Sequence, residues 1–283
     1  MSTQASKVGV RKKTSNASQE IKPWIRRFGR FGHMAKGAVY ALIGLLAVMA
    51  ALGIGGETTD TSGALQSLAG MPFGEGLLWV IGIGLIGYII WDLIKVIKDP
   101  ENKGHDAKGV ITRIGYLVSA VIYGSLAFSA MKLAMNAGGG SGNSEQTISA
   151  RLLAQPFGQW IVGMVGLVII GYGIYELYNG YKERFMKKFN VNEMNQHEKK
   201  IARNAGKIGL IARGIVLSMI GFFFMQTAVT ANPEESKGLD GALLELIQQP
   251  YGGWLLGVVA AGLMLYGIYE IIRGRYAKMN FGK

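Results

Sequence analysis

Three carboxylates stand inside apolar runs of this chain at matching places: Asp92, Glu176 and Glu270. Each lies four residues after a tyrosine (Tyr88, Tyr172, Tyr266) and twenty after a proline (Pro72, Pro156, Pro250). An ionisable group in such a run is expensive in lipid and needs either a partner or a task, such as holding a proton or a cation. A tyrosine four residues earlier shares the acid's helical face and brings a hydroxyl donor to it. The sets recur at offsets of 84 and then 94 residues, which marks a triplicated unit.

Candidate partners come from the runs that precede the acids. Gly29, Gly32, Lys36, Gly37 and Gly44 align with Gly206, Gly209, Arg213, Gly214 and Gly221. In the middle unit Gly115 and Tyr123 match Gly32 and Tyr40, but Ser119 stands where the others carry a cation. In a hairpin with both ends on one side, the start of the first helix and the end of the second share a depth. Lys36 is therefore expected to face Asp92, and Arg213 to face Glu270. Glu176 is left without a cation and becomes the acid to titrate if any does. An ion-pair role and a proton or cation site both stay open for these eight residues: Lys36, Asp92, Glu176, Arg213, Glu270, Tyr88, Tyr172 and Tyr266. Trp91, Tyr175 and Tyr269, directly before the acids, read as interfacial aromatics, and the recurrent glycines as close helix contacts.

Little other chemistry is encoded. The chain has no cysteine, which removes thiolate nucleophiles and Cys-based metal sites. His33, His105 and His197 are isolated and have no metal-ligand spacing. Neither Gly-x-Ser-x-Gly nor His-Glu-x-x-His occurs, and the glycines from Gly138 to Gly142 lack the Gly-Lys-Ser/Thr ending of a phosphate loop. No enzyme activity, cofactor or metal is expected.

The elements that must position these residues are six apolar runs: Ala35 to Gly53, Leu77 to Ile97, Ile114 to Met135, Phe157 to Tyr178, Ile208 to Val229 and Gly253 to Ile272. Each has about 20 residues, enough for a helix to cross ~30 Å of hydrocarbon. Mean hydropathy is only +0.25 because polar ends and loops dilute it. Of 30 Lys and Arg, all but Lys132, Arg151 and Lys237 fall on the side of the termini. That asymmetry places both termini in the cytoplasm. The net charge of +12 thus encodes topology and attraction to anionic lipid at the cytoplasmic face, with no nucleic-acid partner. The expected fold class is all-α: a polytopic membrane protein of six helices in three hairpins, with short amphipathic helices in the extracytoplasmic loops.

Residues 1–20 read as a flexible cytoplasmic tail, 21–100 as the first repeat, 101–185 as the second, 186–202 as a cytoplasmic connection and 203–283 as the third repeat. Ile21 to Phe31 alternates aromatic and basic residues as an interfacial helix would. Residues 136–143 (NAGGGSGN) read as a flexible part of the second loop. Leu68, Leu152 and Leu246 lie four residues before the prolines, and Ala64, Ile148 and Ala242 eight before, the spacing of one helical face. Each proline is expected to start the returning helix. Phe185, Met186, Phe189 and Val191, in the basic connection, are expected to dock on the inner leaflet.

The segment GRFGHMAKGAVY from Gly29 to Tyr40, its counterpart at Gly206 to Leu217 and the Pro-Phe/Tyr-Gly starts resemble the domain of unknown function 1206 family. The resemblance spans about Trp24 to Tyr276 and implies a bacterial inner-membrane protein of three two-helix repeats, without an activity or functional residues. The expectation is a non-enzymatic envelope or scaffold protein. The alternative is a small proton- or cation-coupled transporter or channel using the repeated carboxylates. The oligomeric state and any protein partner stay open.

Overall fold

A computed structural model describes residues 23–56, 58–99, 104, 106–135 and 144–278. The N-terminal tail and the glycine-rich stretch 136–143 lie outside these residues. Six long helices carry the apolar runs: α1 (Pro23–Ala51), α3 (Gly74–Lys98), α4 (Ala107–Ala134), α6 (Gly158–Tyr181), α7 (Gln196–Thr230) and α9 (Gly252–Tyr276). All six are long and apolar enough to cross a membrane. Three short helices, α2 (Thr61–Ala69), α5 (Ser144–Leu153) and α8 (Leu239–Gln248), fill the loops between the members of each pair. The protein is an all-α, multi-pass membrane protein.

Helix starts follow local chemistry. Asp60 caps α2 by accepting from the Gly63 N–H at 2.7 Å, and Asp106 caps α4 from Gly109 at 3.1 Å. Asn195 and Glu198 form a reciprocal capping box on α7. The returning helices begin differently from expectation. Pro72, Pro156 and Pro250 lie two residues ahead of α3, α6 and α9, each in a tight turn closed by a hydrogen bond of 2.8–2.9 Å from the glycine N–H that follows. The third turn residue, Phe73, Phe157 or Tyr251, holds φ of 61–63° where glycine is usual. These aromatics are 81–90% exposed at the loop-helix end, so the strained backbone aims a bulky ring outward. The next residue must be glycine: a Cβ on Gly74 or Gly252 would stand 2.0 Å from a carbonyl oxygen of the loop helix.

Two further expectations are corrected. The segment 23–31 is no separate interfacial helix but the first turns of α1, and Phe28 and Phe31 pack on Gly87 and Gly84 of α3. Phe185 and Phe189 are fully buried against Tyr269 instead of facing a leaflet. The connection carrying them is pinned to the end of α9 by backbone bonds between Asn190 and Tyr276 and between Lys278 and Lys188.

The helices follow one another around the bundle in the order α4, α3, α1, α9, α7, α6. The most extensive contacts join different repeats, α6 with α7 and α1 with α9. Glycines make them close, as expected where no hydrophobic force drives helices together in lipid. Gly37 meets the Gly267 carbonyl, and Gly44 meets Ala260 and Met264. One repeat on, Gly214 meets the Gly173 carbonyl and Gly221 that of Gly166. Within repeats, α1 packs on α3 and α7 on α9, but α4 and α6 barely touch.

Candidate functional site

Near the ends of α3, α6 and α9 that point toward the termini, all three recurrent acids are buried: Asp92 is 0%, Glu176 4% and Glu270 1% exposed. Their partners are not those expected from hairpin geometry. Asp92 takes the Lys95 ammonium, one turn along its own helix, at 2.5 Å. Glu176 is paired with Arg213 of α7. Glu270 lies 3.9 Å from Lys36 of α1, accepts from Arg273 at 3.1 Å and Tyr266 at 2.9 Å, and meets His33 Nδ1 at 2.8 Å. Lys36 therefore does not pair with Asp92, Arg213 does not pair with Glu270, and Glu176 does not lack a cation.

The displacement has one physical cause. Lys36 directly precedes Gly37, and Arg213 directly precedes Gly214, glycines at close inter-repeat contacts. Each cation is thereby delivered to the acid of the repeat packed on that face, not to its own hairpin. Ser119, the corresponding residue of the middle repeat, brings no cation to this position.

Tyrosines from all three repeats join the pairs into one cluster. Lys36 Nζ is 5.1 Å from the ring centres of Tyr88 and Tyr123 and 5.6 Å from that of Tyr266. The Arg213 guanidinium lies 4.9 Å from Tyr266, 5.7 Å from Tyr40 and 5.8 Å from Tyr172. Such distances are within the reach of cation–π attraction. Lys95 sits 5.9 Å from Tyr88, which ties Asp92 in as well. All eight residues singled out by pattern thus share one network, but with exchanged partners. The cluster gathers four basic side chains (Lys36, Lys95, Arg213, Arg273) and His33 around three acids.

His33, Tyr40, Lys95, Tyr123 and Arg273 were missed by the pattern. A signal for four of them was present: Tyr40 and Tyr123 match between the first two repeats, and Lys95 and Arg273 both stand three residues after their acids, where the middle repeat has the buried Asn179. His33 had none, because Tyr116 and Leu210 occupy its equivalent positions.

One oxygen each of Asp92 and Glu176, and the Nε of Arg213 and Arg273, are buried without a hydrogen-bond partner among the described residues. Tyr172 and its neighbour Tyr175 are 47% and 51% exposed, whereas Tyr88, Trp91, Tyr266 and Tyr269 are buried. Two surface cavities, one of about 320 Å³ between α7 and α9 and one of about 230 Å³ beside α8, do not include Glu176 in their walls. Among the described residues no group of three or more His, Asp or Glu converges as a metal site would require.

Residues 31–99, 114–183 and 208–277 each match the family described as Domain of Unknown Function (DUF1206). The chain belongs to this family. DUF1206 membership accounts for the three repeats, and the family's description names no activity. The chain is also similar to "Uncharacterized protein YxxB" of Bacillus subtilis (strain 168), 48% identical over 269 residues, which cover 95% of this chain and 97% of the relative. No solved structure matches it.

Proposed function

We propose that the protein is a non-enzymatic scaffold of the bacterial cell envelope, resident in the inner membrane with both termini in the cytoplasm. The observation that carries this reading is that every recurrent acid is engaged by a cation, two of them across inter-repeat contacts. Charges so engaged hold helices in register and specify which helix neighbours which. The basic termini-side surface supports attraction to anionic lipid of the cytoplasmic leaflet.

Proton and solute flux measured in vesicles containing the purified full chain tests the reading. The expected flux equals that of empty vesicles across a broad solute panel. Flux that Glu176→Gln abolishes would replace the scaffold reading with that of a proton- or cation-coupled transporter. The exposed Tyr172 ring and the unpartnered oxygen of Glu176 favour that second reading.

A further inference from the structure

The first and third hairpins fill the same seam differently. In the first, a Cβ on Gly87 would stand 3.1 Å from the Phe28 ring and one on Gly84 3.2 Å from the Phe31 ring, so two aromatic rings of α1 pack onto the glycines of α3. In the third hairpin the aligned positions carry Ala205 in place of Phe28, Leu265 in place of Gly87 and Ile208 in place of Phe31. The Phe28 ring thus has no counterpart between α7 and α9. The cavity of about 320 Å³ lies at that place, with Ile201, Ala205, Leu265 and Ile268 in its wall. Its volume is within the range of small-ligand sites.

The cavity crosses the edge of the hydrocarbon. α7 and α9 run in opposite directions, with Gly206 against the Tyr269 ring. At a rise of 1.5 Å per residue, Ile268 and Leu265 lie about 6 and 10 Å inside the end of the α9 apolar run at Ile272. Lys200 is also in the wall, about 9 Å from the Gly206 contact toward the termini, which puts it beyond that run. His197 follows it one turn further out. Both are exposed and form no ion pair with a described residue, whereas Arg203 and Lys207 on the same helix are engaged by Glu183. A lysine so placed lays its stem along the apolar wall and keeps its ammonium at headgroup level. An apolar floor inside the hydrocarbon with an unpaired cation just outside it is complementary to an amphiphile whose acyl chain adjoins a negative charge.

We propose that the groove between α7 and α9 binds one anionic phospholipid of the leaflet on the side of the termini. An acyl chain takes the place that the Phe28 ring holds in the first hairpin, along Ala205, Leu265 and Ile268. The phosphate meets Lys200, with His197 beside it. The site needs only membrane residence and is independent of solute flux, so it stands or falls separately from the scaffold reading.

The test uses the full chain equilibrated with vesicles of equal parts phosphatidylglycerol and phosphatidylethanolamine, extracted in mild detergent and weighed by native mass spectrometry. A phosphatidylglycerol adduct should be retained. Ala205→Phe/Leu265→Gly, which carries over the Phe28 and Gly87 pair, should lower it at least about fivefold. Ile201→Trp, which fills the groove from its exposed wall with the residue the first hairpin has at Trp24, should do the same and serves if the double variant does not fold. Lys200→Gln/His197→Gln should leave the two lipids equally retained. No adduct on the unsubstituted chain, or an adduct unchanged by Ile201→Trp, overturns the site; equal retention of both lipids by the unsubstituted chain overturns its anionic character. A polypeptide carried by the chain out of its own membrane and displaced by Ile201→Trp would assign the groove to a protein and overturn the lipid.

Discussion

Arg213 and Glu176 form the pair whose loss should be most informative. Removing one member of a buried pair leaves the other charge uncompensated, at a cost of about 3–5 kcal/mol, whereas replacing both by apolar residues can be nearly neutral. Arg213→Met and Glu176→Met should each lower the melting temperature in detergent sharply, and the double variant should recover most of the loss. Additive losses would show that the two side chains act separately. Glu270 has more partners, so His33→Gln should cost less than Glu270→Gln, measured the same way. The identities of these residues were legible because triplication repeats them at fixed offsets. Their pairings were not, because a repeat alignment locates a residue within its own unit and is silent on which unit packs against it. Lys36 and Asp92 share a repeat, yet Lys36 lies against Glu270 of the third repeat and Asp92 against Lys95 of its own helix.

Glycine positions separate the element contacts that are tight from those that are open. Gly37→Ala places a methyl 2.6 Å from the Gly267 carbonyl oxygen and should destabilise the α1–α9 contact. Gly115→Ala and Gly171→Ala meet nothing within 4 Å and should be neutral or stabilising by up to about 1 kcal/mol, through helix propensity alone. Melting of all three variants in one detergent checks the contrast; equal losses would mean that α4 and α6 do pack together. The loop helices offer a pH test. Burial, and then the nearby Asp240 carboxylate, raise the pKa of Asp60 above its ordinary 3.8. A carboxyl raised in the folded protein favours the fold while protonated, and that contribution fades as pH climbs past its folded pKa. Asp60→Asn keeps the cap acceptor without the charge, so at neutral pH it should melt no lower than the parent and show a flatter pH profile. Asp60→Ala should lose about 1 kcal/mol. The six long helices and the loop helices were legible from run length and four-residue spacing. The left-handed aromatic before each returning helix was not, because Pro-Phe/Tyr-Gly reads equally well with proline as the first helical residue.

At the scale of the whole molecule the prediction concerns sidedness. The chain has no cysteine, so single cysteines report cleanly. Gly70→Cys and Gln248→Cys, exposed at the loop-helix end, should label from outside intact cells, whereas Lys187→Cys and Lys278→Cys should be protected. The reverse pattern would invert the proposed orientation. The crossed pairing of charges also bears on biogenesis. Lys36 enters the bilayer with the first helix, but its carboxylate, Glu270, arrives only with the last. Until α9 is made, the nascent chain lacks the carboxylate that lies against the Lys36 ammonium in the finished fold. A prematurely terminated chain would therefore display an uncompensated charge at its first helix, a mark by which membrane proteases could tell the unfinished protein from the finished one.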